Sequence, residues 1–267
     1  MLYLVSTPIG HLEDISHRAL SILREADLIL CEDTRRSSIL LQRYDIKKPL
    51  IPFHKFNEKR AEEQILEQLQ ANKTIALISD AGTPCINDPG LQLIKTCIQS
   101  KIPFTAIPGP CSLIQALVLS GFDTQKFQFI GFFPRKSQDP LLRSLLYYPG
   151  TSIGFESPER LVKTLKAIGA LDPDRNIAVA REMTKTFEEC RRGKALDLAE
   201  HFTKTPPKGE IVLLLEGGKI PEEDLPLDEL LILLQQLHGV SLKEAIKLAA
   251  TLKNLPKSAV YKQAHQN

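Results

Sequence analysis

Apolar and polar positions recur at two different periods along the first half of the chain. Short aliphatic and β-branched runs at residues 2–6, 27–32, 50–53, 74–79 and 103–107 read as strands. The last-but-one, Thr74-Ile-Ala-Leu-Ile-Ser79, has no polar face and suits a strand buried on both sides. Between the runs the apolar positions are spaced as on helices. Ile15, Ala19, Ile22, Leu23 and Ala26 share one face, and Ala61, Ile65 and Leu69 share another behind Asn57, a candidate N-cap. Such alternation predicts βαβ units and a mainly parallel sheet.

A helical stretch over residues 112–120 and a linker at 121–125 end this part. A second α/β run follows, with strands near 127–133, 151–155, 176–181, 187–191 and 211–216. Its later strands are close-set, with turns at Thr184-Lys185 and Gly209, so antiparallel pairing is expected there. Pro221 to Pro226 reads as an acidic, proline-rich hinge, and three short helices follow at 228–237, 241–252 and 257–265. Gly239 suits a helix stop and Ser241 the next N-cap. The expected organisation is an α/β domain over 1–120, a second over 123–218 and a helical extension over 221–267. That extension reads either as a helix-turn-helix-like appendage or as a packing lid.

Composition narrows the class. With 267 residues, 43% of them apolar and 25% charged, the chain has the make-up of a water-soluble globular protein. No apolar run reaches the ~20 residues that span a bilayer, so no membrane partner is expected. The start, Met1-Leu-Tyr-Leu-Val5, reads as a first strand and not a signal peptide. Five scattered cysteines (Cys31, Cys85, Cys97, Cys111 and Cys190) without a CxxC pair favour neither disulfides nor zinc, and fit a reducing cytoplasm. The net charge of +2 does not point to nucleic acid. Basic clusters at Arg35-Arg36, Lys55 with Lys59-Arg60, Arg135-Lys136 and Arg191-Arg192 with Lys194 read, one by one, as solvated surface.

The chemistry sits in loops. GxGxxG after the first strand, GxxxxGK[ST], HExxH and GxSxG are all absent, and the six histidines form no metal-binding pair. Instead, predicted strands run into Ser6-Thr-Pro-Ile-Gly10, Glu32-Asp-Thr-Arg-Arg36, Asp80-Ala-Gly-Thr-Pro84 and Pro108-Gly-Pro-Cys-Ser112. Phe155-Glu-Ser-Pro-Glu-Arg160 and Arg181-Glu-Met-Thr-Lys185 hold comparable places in the second half. Each alone is an ordinary βα turn. Together, the four loops of the first half, at one sheet edge, make a pocket lined by backbone and small side chains. It suits a neutral or zwitterionic cofactor better than a bare phosphate.

STPIG, CEDTR, SDAGTPCINDPG, IPGPCS, GFFPRK, FESPERL, REMTK and GEIVLLLEG stand here in the order and spacing of one known family. The chain resembles the bacterial methyltransferases that modify a cytidine 2′-hydroxyl of small-subunit ribosomal RNA, built on the tetrapyrrole-methylase fold (class III). The likeness runs through LKEAIKLAATL near the C-terminus. His11, Cys111, Glu159 and Met183 stand where the family usually has Asn, Ser, His and Leu. The resemblance implies two α/β domains and S-adenosylmethionine as cofactor. It places Pro8, Asp80, Ala81, Gly82, Ile86, Cys111 and Ser112 against the cofactor from the first domain, and Glu156 and Met183 from the second. It also implies a homodimer acting on 16S ribosomal RNA or the 30S subunit, with no DNA partner.

The reaction expected is displacement at a sulfonium methyl by a ribose oxygen, where alignment at ~3–3.5 Å does much of the work. A base or a cation at the emerging alkoxide adds to it. Glu156 is the candidate base and Lys185 the candidate stabiliser; cofactor contact for Glu156 and phosphate contact for Lys185 are the alternatives. Asp33, Arg35, Arg36, Arg135 and Lys136 are the candidate RNA-facing residues, the basic ones set against phosphates. Two other readings remain open: methyl transfer to a tetrapyrrole or other small molecule, since fold does not fix substrate, and a non-catalytic RNA-binding factor.

Overall fold

The first sheet is built from strands too apolar to face water on either side. β1 (Leu2–Val5), β2 (Leu28–Cys31), β3 (Leu50–Pro52), β4 (Ile75–Leu77) and β5 (Phe104–Ile107) line up in the order β3-β2-β4-β1-β5, every pair parallel. Side chains alternate across such a sheet. Ile29 and Cys31 join one core with Val5, Ala19, Leu23 and Leu40, while Leu28 and Leu30 join another with Leu2, Phe53, Ile65 and Leu93. Helices α1 (His17–Glu25) and α2 (Thr34–Arg43) cover the first face, α3 (Glu58–Gln70) and α4 (Leu91–Gln99) the second. This computed structural model describes residues 1–135, 141–142, 144–145, 148–218, 225–238 and 240–265, the side chains of 236–238 excepted.

After α5 (Ser112–Ser120) the pairing changes. β6 (Phe127–Phe132), β7 (Thr151–Glu156), β8 (Asn176–Arg181), β9 (Glu189–Lys194) and β10 (Ile211–Leu215) take the order β6-β7-β10-β8-β9. Only β6 and β7 run parallel; β7–β10, β10–β8 and β8–β9 are antiparallel, as the close-set strands imply. Helices α6 (Pro158–Leu171) and α7 (Ala195–Lys204) close over Ile177, Val179 and Leu213. The C-terminal helices α8 (Leu227–His238), α9 (Leu242–Leu252) and α10 (Lys257–Ala264) share a core of their own around Leu230, Leu234, Ala245 and Ala249. Ser241 caps α9 in a full capping box with Glu244.

The compact units divide the chain differently from the sequence reading. The first comprises Met1–Gln115 and Glu182–Glu188, the second Ala116–Arg181 and Glu189–Asn267. The cut falls inside α5 rather than at residues 121–125, and the C-terminal helices group with the second sheet. The strand expected at 187–191 lies at Glu189–Lys194, because 182–188 is taken up by turns in which Lys185 and Glu188 donate to the carbonyls of Glu182 and Lys185. Asn57 does sit at the N-cap of α3, but its side chain accepts from the His54 amide and donates to Pro52 O instead of capping the helix. Gly239 and most of the expected hinge, residues 221–224, lie outside the described residues.

Candidate functional site

Three loops at the carboxyl edge of the parallel sheet are stitched into one rim. Thr7 and Gly82 exchange backbone hydrogen bonds of 2.9 and 3.0 Å, and the Thr7 hydroxyl donates to Ser79 O at 3.2 Å. Ser6 and Thr83 pair through their hydroxyls, and Thr83 donates on to Pro110 O. A Cβ on Gly109 would stand 2.8 Å from that of Ser6, so only glycine lets these two loops meet.

The longest of the loops carries backbone strain. Gly82 and Gly90 have φ of +81° and +122°, and between them Cys85 and Asn87 also hold positive φ. Most other non-glycine residues of this kind end helices (Asp45, Asn72, Lys101, Asn254), where the left-handed turn is routine. Glu182 and Thr184 do not: they bracket Met183 with φ of +49° and +64° in the turn after β8. For a β-branched threonine that is a true outlier, and such strain gathers at functional sites.

That turn belongs to the first unit. The His11 amide donates to Thr184 Oγ1 at 3.0 Å, and the aliphatic stem of Lys185 lies over Gly10, where a Cβ would come within 2.5 Å of Lys185 Cγ. Lys185 therefore stands beside the β1 loop, with its ammonium 2.8 Å from Glu182. Of the expected cofactor residues, Pro8, Gly82 and Met183 are buried, Asp80, Ala81, Cys111 and Ser112 are half-buried, and Ile86 is exposed. Ser112 opens α5 rather than capping it, since the Gln115 amide donates to Cys111 O. This rim fits a zwitterionic cofactor: its loop ends bring together backbone groups, the hydroxyls of Ser6, Thr7 and Thr83 and one carboxylate, Asp80.

Next to the rim, loops after β2 and β3 enclose an open groove of about 490 Å³ lined by Glu32, Asp33, Arg35, Arg36, His54, Phe56 and Asp80 among others. Arg35 grips Asp33 through two hydrogen bonds of 3.0 and 2.6 Å and holds its carboxyl well below the usual range. Asp80 accepts from the Asp33 amide at 3.1 Å and faces Arg36 at 3.5 Å. Burial first, and then the Asp80 charge, push the Glu32 carboxyl up. Burial and the Glu32 charge raise Asp88 from 3.8 to about 6, against a lowering hydrogen bond from Ser79.

Glu156 is placed quite differently. Its carboxylate is buried in the second unit, with Oε1 taking Arg160 at 2.6 Å and the Ser157 amide at 2.8 Å, and Oε2 taking the Thr164 hydroxyl at 2.6 Å. Both oxygens are thus engaged, and a base role would need these bonds undone. Arg135 is exposed; Lys136 lies outside the described residues. Among the described residues no His, Cys, Asp or Glu group could hold a metal. Sequence reasoning did not single out Glu32, His54, Phe56 or Asp88. The first stands inside CEDTR and the last inside SDAGTPCINDPG, but their crowding depends on β2 lying next to β4.

Residues 1–199 match the family of tetrapyrrole (corrin/porphyrin) methylases. The ribosomal RNA small subunit methyltransferase I of Thermotoga maritima is 48% identical over 81% of this chain and 98% of its own. That of Escherichia coli O157:H7 is 42% identical over 98% of this chain and 94% of its own. Among solved structures, uroporphyrin-III C-methyltransferase of Thermus thermophilus, complexed with S-adenosylhomocysteine, superposes with a TM-score of 0.59 at 18% identity over 80% of this chain and 96% of its own. Diphthine synthase reaches 0.65 at 13% identity over 80% and 89%. Parallel first sheet, stitched loop rim and sequence likeness agree: the chain belongs to the tetrapyrrole (corrin/porphyrin) methylase family, among the relatives named ribosomal RNA small subunit methyltransferase I.

Proposed function

We propose that this protein transfers a methyl group from S-adenosylmethionine to the ribose 2′-hydroxyl of a cytidine in 16S ribosomal RNA. The observation that carries the reading is 42% identity along 98% of the chain with a protein named for that ribosomal subunit. The finer points are part of the same proposal: a homodimer, working in the cytoplasm, on the 30S subunit. No helix among the described residues is long and apolar enough to cross a membrane.

When bound, S-adenosylmethionine supplies an electrophilic methyl on a positively charged sulfur. Pro8, Asp80, Ala81, Gly82, Ile86, Cys111 and Ser112 are proposed to hold it, with Met183, while Glu156 steadies its own loop through Arg160 and Thr164. Such holding is the larger part of catalysis here, because the displacement needs the two reacting atoms aligned. Lys185, steadied by Glu182 beside the β1 loop, is the proposed cation at the emerging alkoxide. Arg35, Arg36 and Arg135 are proposed to meet phosphates, as is Lys136, with Asp33 setting the angle of Arg35.

Labelled S-adenosylmethionine is incubated with small subunits lacking the modification, and the methylated position is mapped. Label on one cytidine 2′-oxygen is the expected result. Cofactor binding without label on RNA would transfer the reading to a small-molecule acceptor.

A further inference from the structure

Phe56 is the most exposed large apolar side chain described, at 95%, and its surroundings say what would cover it. The ring of His54 meets it edge-on, with centroids 6.1 Å apart. His54 also carries a buried ring nitrogen, Nδ1, with no hydrogen-bond partner among the described residues. Glu32 lines the same groove, and no described residue donates a hydrogen bond to its carboxylate. Arg35 and Arg36 stand exposed on its edge. Asp80 is shared between this groove and the loop rim, so an occupant lies next to the proposed cofactor site.

A flat apolar face, a carboxylate acceptor and two cations in one open groove match one chemistry: a nucleotide whose base carries an amino group. Aromatic side chains hold unpaired bases by stacking. A carboxylate is acceptor-only and takes the hydrogen bond offered by the cytosine amino group, where uracil offers only another acceptor. The arginines take the flanking phosphates.

We infer that this groove seats the base of the target cytidine, with Phe56 stacked on its face and Glu32 accepting from its exocyclic amino group. The inference rests on the ribose-methylation reading above and adds to it the means by which cytidine is told from uridine. To enter, the nucleotide must be splayed out of its helix, as single-stranded recognition requires. A change of Glu32 to glutamine keeps the shape and adds an amide donor, which uracil can use.

Methyl transfer is measured on small subunits lacking the modification and on the same subunits with uridine at the target position. The wild type should prefer cytidine by about tenfold or more, and Glu32→Gln should bring the two substrates within about threefold. Phe56→Ala should raise KM for subunits about tenfold with little change in kcat, and Phe56→Trp should restore it. Calorimetric binding of S-adenosylmethionine should be the same in all four proteins. Equal use of both bases by the wild type, an unchanged KM in Phe56→Ala, or failure of tryptophan to restore it would overturn the base seat while leaving ribose methylation standing. A wild type that binds the cofactor and methylates neither subunit would overturn ribose methylation, and the base seat with it.

Discussion

Two groups of carboxylates, one in each unit, are handled in opposite ways. In the second, Glu156 meets Arg160, Glu189 meets Arg181 and Asp172 meets Arg175, all within 2.8 Å. In the first, Asp33 and Glu182 are paired with Arg35 and Lys185, but Glu32, Asp80 and Asp88 crowd one another, with Arg36 3.5 Å from Asp80. Topology accounts for the difference. An all-parallel sheet brings every βα loop to one edge, so like charges collect where a ligand binds. The mainly antiparallel second sheet sends its turns to both edges and pairs its charges as it goes. On the proposed function, the first arrangement gives up stability for a site and the second serves as scaffold.

From that contrast the largest stability loss is expected in the scaffold. Glu156→Ala leaves Arg160 facing a buried void and should cost about 3–5 kcal/mol in urea unfolding. A kcat loss without that destabilisation would return Glu156 to the chemistry. Gly82→Val puts a β-branched residue at φ +81° and should cost about 1–3 kcal/mol, with cofactor binding lost in calorimetry. Normal cofactor affinity in that variant would separate the rim from the cofactor.

The crowded carboxylates predict an effect of opposite sign. Folding raises the Asp88 carboxyl from 3.8 to about 6, so the folded state favours its protonated form. That contribution is fully present below about pH 4 and lost as pH rises through about 6. Asp88→Asn should therefore raise Tm by about 2–4 °C above pH 7 and change little at pH 4. A shift of equal size at both pH values would show that charge is not the cause. Smallest of all, Arg35→Ala breaks an exposed pair and should leave the urea midpoint unchanged. It should still lower the slope of log affinity for RNA against log salt by about one.

What the sequence made legible was the apolar periodicity. Ile15, Ala19, Leu23 and Ala26 pack on one face as their spacing requires, and the strands fall within a few residues of expectation. Helices that begin inside motifs were harder to see. Asp33 caps α2, and Ser157-Pro158 starts α6 with proline in its first turn, but both stretches read first as site loops. The meeting of Lys185 with Gly10 spans more of the chain than any local pattern reports. Phe56 carries no signal of its own in the sequence, because exposure is a property of the fold and not of spacing. Strand order, which sets Glu32 beside Asp80, had no local signal either.

The seven residues Glu182–Glu188 belong to the first unit although β8 and β9 of the second flank them in the chain. A ribosome releases a chain from its N-terminus onward, and domains tend to fold as they emerge. Here the first unit lacks its Thr184 contact to His11 until Ala116–Arg181 of the second has been made. The five parallel strands can assemble early, but the edge that carries Lys185 is finished late. The lysine proposed to steady the reaction thus arrives only after the five parallel strands and Ala116–Arg181 of the second unit, and a nascent chain that stops short of Glu182 carries those strands without that part of the site.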